Sequence, residues 1–246
     1  MAAIIDHPSP NHGPRRAAID MLILHYTGMA SARAALDRLS DPQAKVSAHY
    51  LIDEDGTIYR LVADDRRAWH AGVSSWAGER DVNSRSIGIE LVNPGHAFGY
   101  RRFPEAQMAA LESLGRDLVR RHHIPAAHVL GHSDIAPSRK QDPGELFDWA
   151  RLARKGIGLW PERIDVPESD PEGDTVFERG ARDPLIARAQ RHLERFGYAV
   201  PQSGVLDPGT AAVVAAFQRH FRPARVDGRL DCETLARLDA LLRCLD

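Results

Sequence analysis

Short apolar runs alternate with polar stretches along the first two thirds of the chain, and their spacing predicts both strands and helices. Met21-Leu22-Ile23-Leu24 is unbroken, the pattern of a central strand covered on both faces, and it delivers His25 to that strand's C-terminal end. His49 to Ile52 and Thr57 to Leu61 flank Asp53-Glu54-Asp55-Gly56, which reads as a hairpin turning on Asp-Gly. Ile87, Ile89 and Leu91 alternate with Gly88, Glu90 and Val92, so a further strand sets Glu90 on the face opposite the isoleucines. A charge in mid-strand calls for a chemical reason. Pro104 opens a helix carrying Met108, Leu111, Leu114, Leu118 and Val119, which closes before Pro125 and covers one sheet face. His128 to His132 reads as a short strand running into a polar loop. Strands interleaved with helices predict an α/β fold, a mixed central sheet flanked by helices.

The pattern then changes. Glu162 to Asp183 holds eight acidic residues, two prolines and two glycines without an apolar period, the composition of a linker. Domains are expected at 1–161 and 182–246, with 162–181 between them. In the second, Leu185, Ala189, Leu193 and Phe196 share a helical stripe, and Gly-x-Leu-Asp-x-x-Thr occurs at Gly204 and again at Gly228. Each Asp is placed to cap a following helix, and Pro208 suits a first helical position. Those helices carry Val213, Val214, Phe217 and Phe221, then Leu235, Leu238, Leu241 and Leu242. The prediction is a small three-helix C-terminal domain with its own core, so that cutting the linker exposes little.

Composition narrows the function classes. With 34 acidic and 32 basic residues and a formal charge of -2, no basic surplus points to nucleic acid or an anionic membrane. Cys232 and Cys244 are the two cysteines, too few for a disulfide scaffold or a four-cysteine metal site. No run approaches a membrane span and no signal-peptide core is visible. The expected compartment is the cytoplasm, or the periplasm or cell envelope if a leader has been omitted.

Twelve histidines direct attention to metal chemistry. His25, His132 and Asp142 are candidate zinc ligands: two imidazoles and a carboxylate leave the fourth tetrahedral position to water, as a catalytic site requires. Sequence separation alone leaves ordinary hydrogen-bonded histidines as an equal alternative. The loop context favours the ligands, because Gly131-His132-Ser133-Asp134-Ile135-Ala136-Pro137-Ser138-Arg139-Lys140-Gln141-Asp142-Pro143-Gly144 resembles the signature of the zinc-dependent N-acetylmuramoyl-L-alanine amidases of the amidase-2 type. His25-Tyr26-Thr27, Ser47-Ala48-His49-Tyr50, Trp69-His70-Ala71-Gly72 and Gly88-Ile89-Glu90-Leu91-Val92-Asn93 fall in the order seen in the anhydromuramyl-peptide amidases. The resemblance covers roughly residues 15 to 160. The tail, with its two repeats and Ala215-Ala216-Phe217-Gln218, looks like a peptidoglycan-binding module. The chain is most like the two-domain, outer-membrane lipoprotein branch but shows no leader with a lipidated cysteine.

This resemblance implies that His25, His132 and Asp142 hold zinc, that Glu90 is the general base and that Lys140 stabilises the oxyanion. Gly88 is expected to leave room beside Glu90 for water and substrate. His49, Trp69, His70 and Asn93 are expected to contact substrate, with His49 a hydrogen-bonded neighbour of the site and not a fourth ligand. The implied reaction is hydrolysis of the amide between ordinary or anhydro-N-acetylmuramic acid and L-alanine, on peptidoglycan or muropeptides. Two rivals are a non-catalytic peptidoglycan recognition protein and a zinc peptidase cutting within the stem peptide.

Overall fold

The computed structural model describes residues 4–164 and 176–245, so most of the expected linker, 165–175, lies outside the described residues. In chain order the elements are β1 (Ile4–Asp6), β2 (His12–Pro14), β3 (Met21–Tyr26), α1 (Ala32–Ser40), β4 (Tyr50–Ile52), β5 (Ile58–Arg60), β6 (Arg66–Ala68) and α2 (Val82–Arg85). They continue with β7 (Ser86–Leu91), α3 (Gly95–Phe98), α4 (Glu105–His122), β8 (Val129–Gly131), α5 (His132–Ile135), α6 (Trp149–Ala153), α7 (Pro184–Phe196), α8 (Pro208–Phe221) and α9 (Cys232–Arg243).

Six strands form one mixed sheet in the order β1-β5-β4-β7-β3-β8, and β2 pairs with β6 separately. The predicted hairpin is β4 against β5, the one antiparallel pair of the large sheet; β3 runs parallel to both β7 and β8. β4 is likewise parallel to β7, so four strands end at the same sheet edge, which is where ligands collect in open α/β sheets.

Each face of β3 is covered by a different part of the chain. Leu22 and Leu24, with Ile87 and Ile89 of β7, pack on Met108, Leu111, Leu114 and Leu118 of α4, as the helical stripe predicts. Met21 and Ile23 point the other way and share a cluster with Leu130, Ile135, Ile186, Leu193, Phe217 and Phe221. The expectation of two separate cores is thus corrected: α7 to α9 close the second face of the sheet. The physical reason lies in β3, whose residues Met21 to Leu24 are all 0% exposed, while α4 reaches only alternate ones. Trp76, also fully buried, meets the rings of Phe196 and Tyr198 edge-on at 5.3 and 4.9 Å. A Cβ on Gly197, at φ +138°, would stand 2.5 Å from the Trp76 ring, so this close approach requires glycine.

Within the helical part the predicted caps form. Asp207 accepts from Thr210 N at 2.7 Å and Asp231 from Thr234 N at 2.8 Å, and Asp183 caps α7 in the same way. The repeat extends to a pair of buried glutamines. Gln190 donates to Val205 O and Thr210 Oγ1 and accepts from Gly204 N. Gln218 does the same with Arg229 O, Thr234 Oγ1 and Gly228 N. Each glutamine ties its helix to the next Gly-x-Leu-Asp loop, satisfying backbone groups that burial would leave unpaired. Among the described residues no helix is long and apolar enough to cross a membrane.

Candidate active site

The parallel register sets His25 of β3 directly beside Glu90 of β7, both on the face turned away from α4. On the other flank of β3, strand β8 ends at Gly131 and hands His132 to the start of α5. The following loop returns to it: Ser133 N donates to Asp142 O at 2.9 Å. Three buried donors meet there, with His25 Nδ1 2.9 Å from His132 Nδ1, and Asp142 Oδ2 3.1 and 3.0 Å from the two.

The surrounding hydrogen bonds fix which ring nitrogens are bare. His132 Nε2 lies 3.1 Å from Ala71 O, an acceptor only, so Nε2 carries the hydrogen and Nδ1 keeps its lone pair. Ser86 Oγ donates to Val82 O at 2.7 Å and therefore accepts from His70 Nε2 at 3.1 Å. Burial, with His25 and His49 nearby, holds the His70 pKa well below the usual range, so the ring is neutral and its Nδ1 is an acceptor. The partner at 3.0 Å is His25 Nε2, which must carry the hydrogen and leave His25 Nδ1 bare. Burial and the His132 ring lower the His25 pKa to about 4. Two imidazole lone pairs and a carboxylate oxygen converging at about 3 Å repel one another unless a cation lies between them. Among the described residues this is the set of three able to share a metal.

Glu90 and Lys140 stand at the same cavity, of about 520 Å³, together with Trp69, His70, His132 and Asp142. Glu90 Oε2 is buried without a hydrogen-bond partner. Burial and the Asp142 charge raise the Glu90 pKa well above the ordinary value, against the pull of Lys140. An unpartnered carboxylate oxygen of raised basicity beside a metal-ligand set is suited to proton transfer.

Not every sequence expectation reaches the cavity. His49 is fully buried and does not line the cavity: its Nδ1 accepts from Gly88 N at 2.9 Å, and its Nε2 lies 2.7 Å from the Arg15 guanidinium and 3.1 Å from Arg66 O. Asn93 is likewise fully buried, donating to Arg101 O and accepting from Gly95 N; its amide shapes the turn into α3. Trp69 and His70 do line the cavity. Gly88 leaves no room for water or substrate, because the His70 ring fills the space where its side chain would stand.

Other wall residues escaped the sequence reading. Arg38 and Leu39 come from α1, whose signal was Ser31 capping Ala34 N and the buried stripe Ala35, Leu36, Leu39. His96 lies at the rim, bonded to Tyr26 OH at 2.9 Å and Glu145 at 3.1 Å; partners so distant in sequence leave no local pattern. Arg139 donates to Ala71 O and Val73 O, each at 2.8 Å, tying the Asp142 loop to the segment after Trp69.

The sequence profile of the N-acetylmuramoyl-L-alanine amidases matches residues 15–145, and that of a putative peptidoglycan binding domain matches 182–238. The chain is 37% identical over 238 residues to N-acetylmuramoyl-L-alanine amidase AmiD of Escherichia coli K12, spanning 91% of this chain and 82% of that one. It is 46% identical over 108 residues to 1,6-anhydro-N-acetylmuramyl-L-alanine amidase AmpD of Citrobacter freundii, 44% of this chain and 56% of the relative. The structure of E. coli AmiD in complex with anhydro-N-acetylmuramic acid-L-Ala-D-gamma-Glu-L-Lys matches with a TM-score of 0.80 at 37% identity, over 93% of this chain and 91% of that one. AmpDh3 of Pseudomonas aeruginosa matches with a TM-score of 0.76 at 34% identity, over 92% of each chain. Sequence, fold and site chemistry agree, and the chain belongs to the N-acetylmuramoyl-L-alanine amidase family, enzymes that cleave the amide between N-acetylmuramic acid and L-alanine.

Proposed function

We propose that His25 Nδ1, His132 Nδ1 and Asp142 Oδ2 hold a zinc ion, and that the chain hydrolyses the N-acetylmuramic acid to L-alanine amide of muropeptides and peptidoglycan. The observation that carries this reading is the convergence of three lone-pair donors separated by 2.9 to 3.1 Å. Ligands of a tetrahedral zinc, each about 2.0–2.1 Å from it, stand roughly 3.3 Å apart. When bound, zinc supplies Lewis acidity toward the amide carbonyl and brings the pKa of water to about 7.

The chain's own groups perform the rest. Glu90, through its unpartnered Oε2, takes a proton from the attacking water as the carbon–oxygen bond forms, and gives it to the L-alanine nitrogen as the carbon–nitrogen bond breaks. Lys140 sets a positive charge at the cavity wall, where negative charge develops on the carbonyl oxygen. Trp69 offers an aromatic wall to the sugar or stem peptide. The cavity size falls within the roughly 300–1,000 Å³ of small-ligand clefts, which supports a muropeptide segment as the bound unit. The helical domain, matched to a putative peptidoglycan binding domain over residues 182–238, is read as holding the enzyme on its polymer.

Mass spectrometry of a muropeptide digest tests the reaction. The expected products are a sugar bearing a free lactyl carboxylate and an intact stem peptide with a free L-alanine amine. A product with L-alanine still on the sugar would establish the peptidase reading, and an unchanged digest the non-catalytic one.

A further inference from the structure

Asp134 lies two positions beyond the ligand His132, within α5, and its side chain is 0% exposed. On the near side its Oδ2 accepts from Gly131 N at 2.7 Å, so the carboxylate closes the turn that presents His132. Its remaining partners come from the helical domain, on the far side of the linker. Tyr198 OH donates to Oδ1 at 2.6 Å, and the His220 ring donates through Nδ1 to Oδ2 at 2.7 Å. His220 is itself held between aromatic faces, with Trp149 of α6 at 3.7 Å and 18° and Phe221 at 3.9 Å and 5°. A buried carboxylate accepting three such bonds is strongly fixed in place, and removing one donor leaves part of its charge uncompensated.

We infer that Tyr198 and His220 are positioning residues for the metal site: through Asp134 they hold the α5 turn so that His132 Nδ1 faces His25 and Asp142. The helical domain then has a second task besides any hold on polymer, since it completes the scaffold of the ligand set in the other domain. The argument is geometric. His132 is the first residue of a four-residue helix, too short to be stable on its own. The turn is pinned by Ser133 N to Asp142 O, Ser75 N to Ile135 O and the Asp134 carboxylate, and only the last of these takes bonds from the helical domain. Removing a group bonded directly to a metal ligand typically alters metal affinity by about 10- to 100-fold; Tyr198 and His220 act one bond further out, through Asp134, and are expected at the lower end of that range.

The inference rests on the zinc reading, and the test separates the two. Full-length wild type, Tyr198→Phe, His220→Phe and His220→Asn are titrated with zinc against a chelator, and each is melted without metal. His220→Phe keeps the stack and loses the donor; His220→Asn keeps an N–H near Nδ1 and loses the stack. The expected pattern is about 10-fold weaker zinc binding in Tyr198→Phe and His220→Phe, with His220→Asn melting lower yet binding zinc more tightly than His220→Phe. Cobalt substituted for zinc should show an altered visible spectrum in the first two variants, reporting changed ligand geometry. Zinc affinities that merely follow melting temperature, or wild-type affinity in all three variants, overturn the positioning role. If the wild-type chain takes up no zinc, the metal reading falls and this inference falls with it.

Discussion

The ring of His70 occupies the place of a side chain on Gly88: a Cβ there would stand 2.5 Å from His70 Cγ. Glycine at this strand position therefore serves the ring that orients His25, and not an open channel beside Glu90. Substituting Gly88→Ala is expected to displace His70 and break the Val82, Ser86, His70, His25 chain. Overpacking of this kind costs about 1–3 kcal/mol. Zinc affinity should fall together with the melting temperature, and an alanine variant with wild-type values of both would show that the ring is free to move.

Glu90→Gln should retain zinc and lose about 10²- to 10⁴-fold in turnover, the usual worth of a general base. The amide keeps the shape while losing the basic oxygen. Turnover per zinc-loaded molecule is the measurement, and near wild-type turnover would remove Glu90 from the reaction.

Loss of His25, His132 or Asp142 by alanine substitution should abolish stoichiometric zinc, since two remaining donors do not make a tetrahedral site. Metal analysis after dialysis reports this directly. Full occupancy in all three variants would contradict the ligand set.

Acid should destabilise the metal-free chain through its buried rings. Burial and the Arg15 charge lower the His49 pKa to about 3, and His25 is lowered to about 4. Unfolded, each ring takes a proton below about pH 6.5, so between these values the unfolded state binds more protons than the folded one. Stability then rises with pH across that window and is lost as pH falls from about 6.5 toward 4. Melting temperatures over about pH 4 to 8 should show the slope, and a flat profile would mean the rings are charged when folded.

Truncation after Pro161 should destabilise what remains, because it uncovers Met21, Ile23, Leu130, Ile135 and Trp76, which lie in one cluster with the helices. Full burial of such a side chain is worth about 1.5–3 kcal/mol, against about 5–15 kcal/mol for a whole domain. A melting point lower by roughly 10 °C or more is expected, or aggregation on expression. A truncated chain as stable as the full one would mean that the linker joins two independent cores.

Local pattern determined much of this protein. The run Met21 to Leu24, the alternation around Glu90, the stripe of α4 and the aspartate caps at Asp207 and Asp231 all follow from short-range periodicity and backbone satisfaction, which are written within a few residues of each other. The candidate ligands and Glu90 were legible because the motif strings around them resemble a known family, and their convergence was implied by that resemblance, not by spacing. What only the tertiary structure decided depends on partners far apart in sequence. The tautomers of His25 and His132 are set by His70 and Ala71 O, 45 and 61 residues away. His49 and Asn93, expected at the substrate, are buried away from the cavity wall and bonded to groups around the site. The docking of α7 to α9 on the sheet was equally hidden, because an apolar stripe states that a face must be covered but not which element covers it. Asp134 is the clearest case: one carboxylate in a polar loop, whose partners Tyr198 and His220 lie 64 and 86 residues further on and are brought to it only when the sheet's second face closes.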